Sequence, residues 1–192
     1  YVKKKEFDFG SEFHYYLFEP EKFDEIYYIS DKHLGDKLNV DKAAKTREKI
    51  FNNGKERIDA REGEKYKRMR DSLYKHPAIR ELIDTEGKIE QTLIWKDSVT
   101  ELNCKSRLDK LIPVSKRGFS YSVDLKTTKD SSEEGFPKDF RNYGYGIQAA
   151  FYFDRYLTLF ENKKLEFWFI AIDKEYTFDC EVYVMSEKTL EK

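Results

Sequence analysis

The stretch from Glu101 to Lys126, ELNCKSRLDKLIPVSKRGFSYSVDLK, constrains the fold more than any other part of the chain. Alternation from Glu101 to Leu111 predicts a strand that ends near Pro113. Gly118 opens a second strand, FSYSVDL, with Phe119, Tyr121, Val123 and Leu125 on one face and Ser120, Ser122 and Asp124 on the other. Joined by a turn, the two strands form a hairpin that brings Asp109, Asp124 and Lys126 to one place. Two carboxylates in reach of each other hold a hard divalent cation, and waters and backbone carbonyls, that of Leu125 among them, complete its shell. Such a cation lowers the pKa of a bound water and neutralises phosphate charge. Lys126 is suited to orienting or deprotonating that water, or to stabilising the negative charge that develops. The chemistry expected is metal-assisted phosphodiester hydrolysis. D-x-K is a weak signal by itself, because Asp and Lys are common at strand ends.

The surrounding chain supplies a frame. Apolar residues at helical spacing (Phe9, Phe13, Tyr16, Leu17) predict a helix over 7–18, stopped by Glu19-Pro20. A strand, EIYYI, is expected within 23–29. Residues 41–75 are helical in composition, with breaks expected at Asn52-Asn53-Gly54 and at Gly63. A short helix over 78–83 follows His76-Pro77. Beyond Gly87 come a strand over 89–95, the hairpin, a polar loop over 127–139 and a long amphipathic helix over 145–160. The run LEFWFIAI (165–172) reads as a buried central strand, with 180–185 as its neighbour. This order predicts an α/β (α+β) fold: a mixed central sheet flanked by helices, with a strand–helix–strand crossover through the long helix. One domain over 1–192 is expected, with a mainly helical part (1–86) and a sheet-bearing part (87–192).

Composition narrows the class. With 39% hydrophobic and 16% aromatic residues the chain has a core despite being 38% charged. The net charge of −1 offers no global attraction for nucleic acid, so any such surface is local. Residues 41–75, with twelve Lys/Arg against seven Asp/Glu, are the place for it: a solvated surface by default, a path for phosphates otherwise. Cys104 and Cys180 make no disulfide framework and no zinc pattern, and are read as reduced residues of an intracellular protein. No signal peptide is seen, and no apolar run reaches the roughly 18 residues of a membrane span. The chain begins at Tyr1 and ends in charged residues, so a fragment lacking terminal segments is expected.

Four residues outside the hairpin are further candidates. Gln148 and Tyr152 are four apart on the long helix and share a face. An amide in so apolar a run needs partners, which favours a site-facing role for Gln148; Tyr152 fits the site or the core equally. His14, alone on an aromatic helix, reads as structural. Glu90 fits either an exposed strand position or an outer metal ligand.

Several segments in this order carry a resemblance: FGSEFHYYLFEPEKF (9–23), IEQTLIW (89–95), CKSRLDKL (104–111), VDLKTTKDSSEEGF (123–136) and NYGYGIQAAFYFD (142–154). Together the chain resembles the PD-(D/E)XK nuclease superfamily, with its restriction-endonuclease-like core. Within it the chain looks most like the RecE-type (exodeoxyribonuclease VIII) phage and prophage exonucleases, relatives of lambda exonuclease and the RecB nuclease domain. The resemblance implies that Asp109 and Asp124 bind metal and that Lys126 is the catalytic lysine. It makes His14 a further metal or active-site residue, reversing the reading above. It has Gln148 and Tyr152 touch the substrate phosphate and Glu90 support the metal. It implies a Mg²⁺- or Mn²⁺-dependent 5′→3′ exonuclease acting on double-stranded DNA ends. It also implies a toroidal homo-oligomer (trimer or tetramer), a single-strand annealing partner, and the cytoplasm of a bacterial host. An endonuclease, a flap or single-strand processing nuclease, and a catalytically silent DNA-binding module are the alternatives.

Overall fold

The computed structural model describes residues 5–30, 51–113, 118–159 and 164–185. The chain packs as two units, 1–71 and 72–192.

In the first unit, helix α1 (Lys5–Phe18) is followed by α2 (Pro20–Ile26), strand β1 (Tyr27–Ile29) and strand β2 (Glu56–Ile58). β1 and β2 pair in parallel, Tyr28 opposite Arg57. Helix α3 (Ala60–Lys75) begins in this unit. The core is aromatic: Phe13, Phe23 and Tyr66 are buried, and Phe9 and Tyr16 close on Tyr66 at 5.1 and 5.7 Å between ring centres. The Tyr66 hydroxyl donates to the Glu12 carboxylate, so the polar end of the ring keeps a partner.

The second unit is built on a five-stranded mixed sheet. Helix α4 (Pro77–Asp84) precedes it, with Pro77 in its first turn and His76 Nδ1 accepting the Ile79 N–H. The strands are β3 (Lys88–Lys96), β4 (Asn103–Ile112), β5 (Ser120–Thr128), β6 (Leu165–Asp173) and β7 (Cys180–Met185), in that spatial order. β5 and β6 are parallel and the other neighbours antiparallel. Helices α5 (Phe136–Asn142) and α6 (Tyr145–Leu159) make the crossover between β5 and β6. Ala149, Phe153 and Tyr156 recur along one face of α6 and bury against Phe167 and Phe169 of β6 and Trp95 of β3. Phe136 of α5 joins the same core.

The loop leaving β5 is pinned. Ser131 N–H donates to Asp173 Oδ1 at 2.6 Å, and Tyr183 hydroxyl donates to the Ser131 carbonyl at 2.7 Å. Thr128 Oγ1 donates to Asp139 Oδ2 at 2.6 Å, fastening the end of β5 to α5. On the other side of the sheet, buried Lys110 donates to the Ile83 carbonyl at 2.6 Å and so closes the last turn of α4.

The mixed sheet flanked by helices is the architecture expected from the sequence. Particular elements depart from it. The expected strand over 23–29 is mostly helix α2, started by Pro20, and only Tyr27–Ile29 is extended. Gly63 does not break α3; a Cβ there would stand 2.4 Å from Ile29 Cγ2, so it is a close-approach glycine. The expected loop over 127–139 contains the last turn of β5 and most of α5, because Pro137 sits in a first helical turn where proline is tolerated. Residues 41–50 of the basic region lie outside the described residues.

One consequence is measurable. Tyr156 hydroxyl donates to Ser120 Oγ at 2.8 Å, and both groups are buried. Tyr156→Phe strands a buried hydroxyl and should cost about 1–3 kcal/mol. That is a melting-point fall of roughly 2–4 °C per kcal/mol for a chain of this size. Thermal denaturation checks it.

Candidate active site

The site is set by where β4 parts from β5 while staying paired with β3. β4 and β5 pair at Lys110↔Val123, Leu111↔Ser122 and Ile112↔Tyr121. The next step of that register would set Asp109 against Asp124, and there the ladder has ended. On the other side, Ile89↔Lys110 and Gln91↔Leu108 flank Glu90, which faces Asp109 without pairing and has a left-handed backbone, φ 53°. A non-glycine residue held in that region inside a strand is strained, by about 1–3 kcal/mol. Freed from the ladder, Leu125 N–H donates to Asp109 Oδ2 at 2.9 Å. Asp109 is thereby aimed at β5.

Asp124 and Lys126 lie two apart on β5 and share the side toward α6. Both serines of that face, Ser120 and Ser122, are buried with Asp124, so this strand is covered on both faces. Lys126 Nζ stands 2.6 Å from Asp124 Oδ2. Gln148 Nε2 donates to Asp124 Oδ1 at 3.2 Å, and Lys126 Nζ donates to Gln148 Oε1 at 3.3 Å. Three side chains thus close a ring in which each end of the amide meets a group of opposite polarity. Tyr145, one turn before Gln148, lays its ring under Lys126 Nζ, 4.6 Å from the ring centre.

Burial and neighbouring charges set the electrostatics of the site. Burial, then the neighbouring Asp124, pushes the Asp109 carboxyl up to about 8; Lys126 and the Leu125 N–H offset this in part, and Glu90 adds to it. Burial pulls Lys126 down, but Asp124 and Asp109 outweigh it and hold the ammonium above its ordinary value. Glu90 has its own cation: its Oε2 lies 2.7 Å from Arg107 Nε. Asp109 and Asp124 thus bring two hard oxygen donors to one place, a set that fits a divalent cation.

Of the residues singled out in the sequence, Asp124, Lys126 and Gln148 come together in direct contact, and Asp109 is tied to the same strand through the Leu125 N–H. The Leu125 peptide takes part through its N–H. Glu90 is close enough to Asp109 to raise its pKa. Tyr152 packs its ring against Phe167 at 6.3 Å and belongs with the α6 core. His14 stands on α1 of the first unit, edge-on to Phe18 at 5.1 Å. Tyr145 and Arg107 were not singled out. Tyr145 was legible as the residue three before Gln148 on the same helical face. Arg107 shows its role only through its ion pair.

The sequence matches, over residues 2–192, the family described as a PDDEXK-like domain of unknown function (DUF3799), and the chain belongs to that family. No curated protein matches it. Among solved structures it is similar to a protein from Eubacterium rectale provisionally named an exonuclease, with TM-score 0.65 and 17% identity, covering 100% of this chain and 62% of that one. This chain therefore spans less than two thirds of that protein's length, and the likeness is one of fold. A second structure, SSO0001, covers 68% of this chain and 64% of its own at 20% identity, with a TM-score of 0.37.

The raised Asp109 pKa makes a prediction about pH. The folded state holds a proton that the unfolded chain releases near pH 4, so its stabilising effect is lost as pH rises toward about 8. Without metal, the protein should lose stability across that window, by at most roughly 1.4 kcal/mol per pH unit. Asp109→Asn should flatten the profile. Denaturant unfolding of both proteins at pH 5, 7 and 9 checks it.

Proposed function

We propose that this PDDEXK-like chain is the nuclease domain of a divalent-metal-dependent exonuclease that degrades linear double-stranded DNA 5′→3′ and leaves 3′ single-stranded tails for recombination. The observation that carries this reading is the ring of Asp124, Lys126 and Gln148, with Asp109 reaching the same strand through the Leu125 N–H, in a chain of a PDDEXK-like family. Mg²⁺ or Mn²⁺ would be held by Asp109 and Asp124, with the Leu125 carbonyl as an additional oxygen and Glu90 as an accessory acid. His14 is proposed as a further ligand. Bound there, the metal supplies a water of lowered pKa and charge neutralisation at the phosphate.

The chain's own residues do the rest. Asp124 and Asp109 keep Lys126 protonated, so its part is that of a donor to the phosphate or to the attacking water, stabilising negative charge as it develops. Gln148 fixes the angle between carboxylate and ammonium, because it bonds to both. Its contact to the substrate phosphate, and that of Tyr152, belong to the same proposal. The polarity of digestion, a toroidal trimer or tetramer, a single-strand annealing partner and a phage or prophage setting in the bacterial cytoplasm rest on the resemblance of the sequence segments. No helix among the described residues is long and apolar enough to cross a membrane.

Digestion of linear against circular duplex DNA with Mg²⁺ tests the reading. Loss of linear DNA alone supports the exonuclease. Cutting of circles supports an endonuclease of the same fold, and binding without cutting a silent module. Lys126→Ala and Asp124→Ala should abolish hydrolysis in protein that still melts cooperatively, at a lowered temperature because each leaves a buried charge without its partner. In calorimetric titration with Mn²⁺, Lys126→Ala should keep binding and Asp109→Ala should lose it; activity surviving in either Lys126→Ala or Asp124→Ala would refute the assignment.

A further inference from the structure

Beside the site an aromatic column leads outward. Phe169 of β6 stacks on Tyr145 at 6.0 Å and 26° between planes, and Tyr145 stacks on Tyr143 at 5.7 Å and 25°. The inner ring is buried, the middle ring lies under the Lys126 ammonium at 4.6 Å, and the outer ring is 66% exposed. Residues two apart do not face each other in a helix. Here they do, because Gly144 between them takes φ 68° and turns α5 into α6. That conformation costs an L-residue about 1–2 kcal/mol, which glycine avoids. The turn therefore spends a special backbone position on setting two rings parallel, and the outer face of Tyr143 is left to solvent. One exposed tyrosine is ordinary. An exposed ring that ends a stack touching the proposed catalytic lysine is placed for a flat ligand.

We propose that Tyr143 is a stacking platform for a nucleobase flanking the scissile phosphodiester. A base laid on its outer face would continue the column, with its phosphate turned toward Lys126 and the two aspartates. This inference rests on the nuclease reading and specifies how that site grips its substrate. Every base has a π-face, so the contact accepts any sequence, as a processive nuclease requires. The phenol hydroxyl has no part in it, which separates stacking from hydrogen-bonded recognition. Tyr143 acts here as a substrate-positioning residue and takes no part in the hydrolytic step.

The test uses linear duplex DNA with Mg²⁺ and a 2-aminopurine at the terminal nucleotide of either strand. Rapid mixing reads base stacking as fluorescence quenching before product appears, and steady-state kinetics read KM and kcat separately. Wild type and Tyr143→Phe should quench and share one KM. Tyr143→Leu and Tyr143→Ala should lose the quench and raise KM roughly five- to 150-fold, with kcat nearly unchanged. Should the alanine variant fail to fold, the leucine variant, which keeps apolar bulk, carries the test. An unaltered KM in Tyr143→Leu, or a raised KM with the quench intact, overturns the platform and leaves the nuclease reading standing. Wild type that cuts neither linear nor circular DNA overturns both.

Discussion

The contact between Lys126 and Asp124 is the interaction on which the rest of the second unit depends. Both charges sit inside the protein, and burying a lone charge is prohibitive. Each is tolerable only because the other lies 2.6 Å away and because Gln148 bonds to both. A buried pair of this kind is a poor device for stability, since desolvation takes back most of the Coulomb gain. Its presence in the middle of a sheet argues that it is retained for chemistry. The fold then does two things around it. It places α6 so that an amide arrives at the right height, and it breaks the β4 ladder so that a second carboxylate arrives from the side.

Most of the architecture was legible because it is written in periodicity. β3, β4, β6, β7 and α6 carry alternating, continuous or helical apolar patterns. What escaped was set by partners distant in sequence. The Ser120, Ser122 and Asp124 face is polar in sequence yet buried; from α6, Tyr156 hydrogen-bonds to Ser120 and Gln148 to Asp124. β2 is three residues long and bears two charges, so only its pairing with β1 makes it a strand. Pro20 ends α1 as expected but also begins α2 where a strand was expected, Pro137 begins a helix inside an expected loop, and Gly63 is kept for the approach of Ile29.

The site was half legible. Asp109, Asp124, Lys126 and Gln148 follow from strand alternation, hairpin geometry and the cost of burying an amide. Their electrostatic ranking does not follow. Two aspartates look equivalent in sequence, but Lys126 pairs directly with Asp124, whereas burial and the neighbouring Asp124 push the Asp109 carboxyl up. The left-handed backbone of Glu90 is also invisible in the residue type, because glutamate has no preference for that region. His14 shows the limit of the residue-level argument: it was weighed by its surroundings, and its aromatic neighbours on α1 are as much a packing environment as they are a setting for a ligand.

The parallel pairing of β5 with β6 has a kinetic meaning. The β4–β5 hairpin joins near neighbours in sequence, whereas β5 meets β6 only after the chain has passed through α5 and α6, with Ser120 reaching Leu165. Closing that crossover must be paid in chain entropy before any contact across it forms. Asp109, Asp124 and Lys126, two carboxylates and one ammonium, need only the short β4–β5 connection to meet. Gln148 and Tyr145 arrive with the crossover. A chain in which that crossover is not closed keeps the charged residues of the site but lacks the amide that ties Asp124 to Lys126.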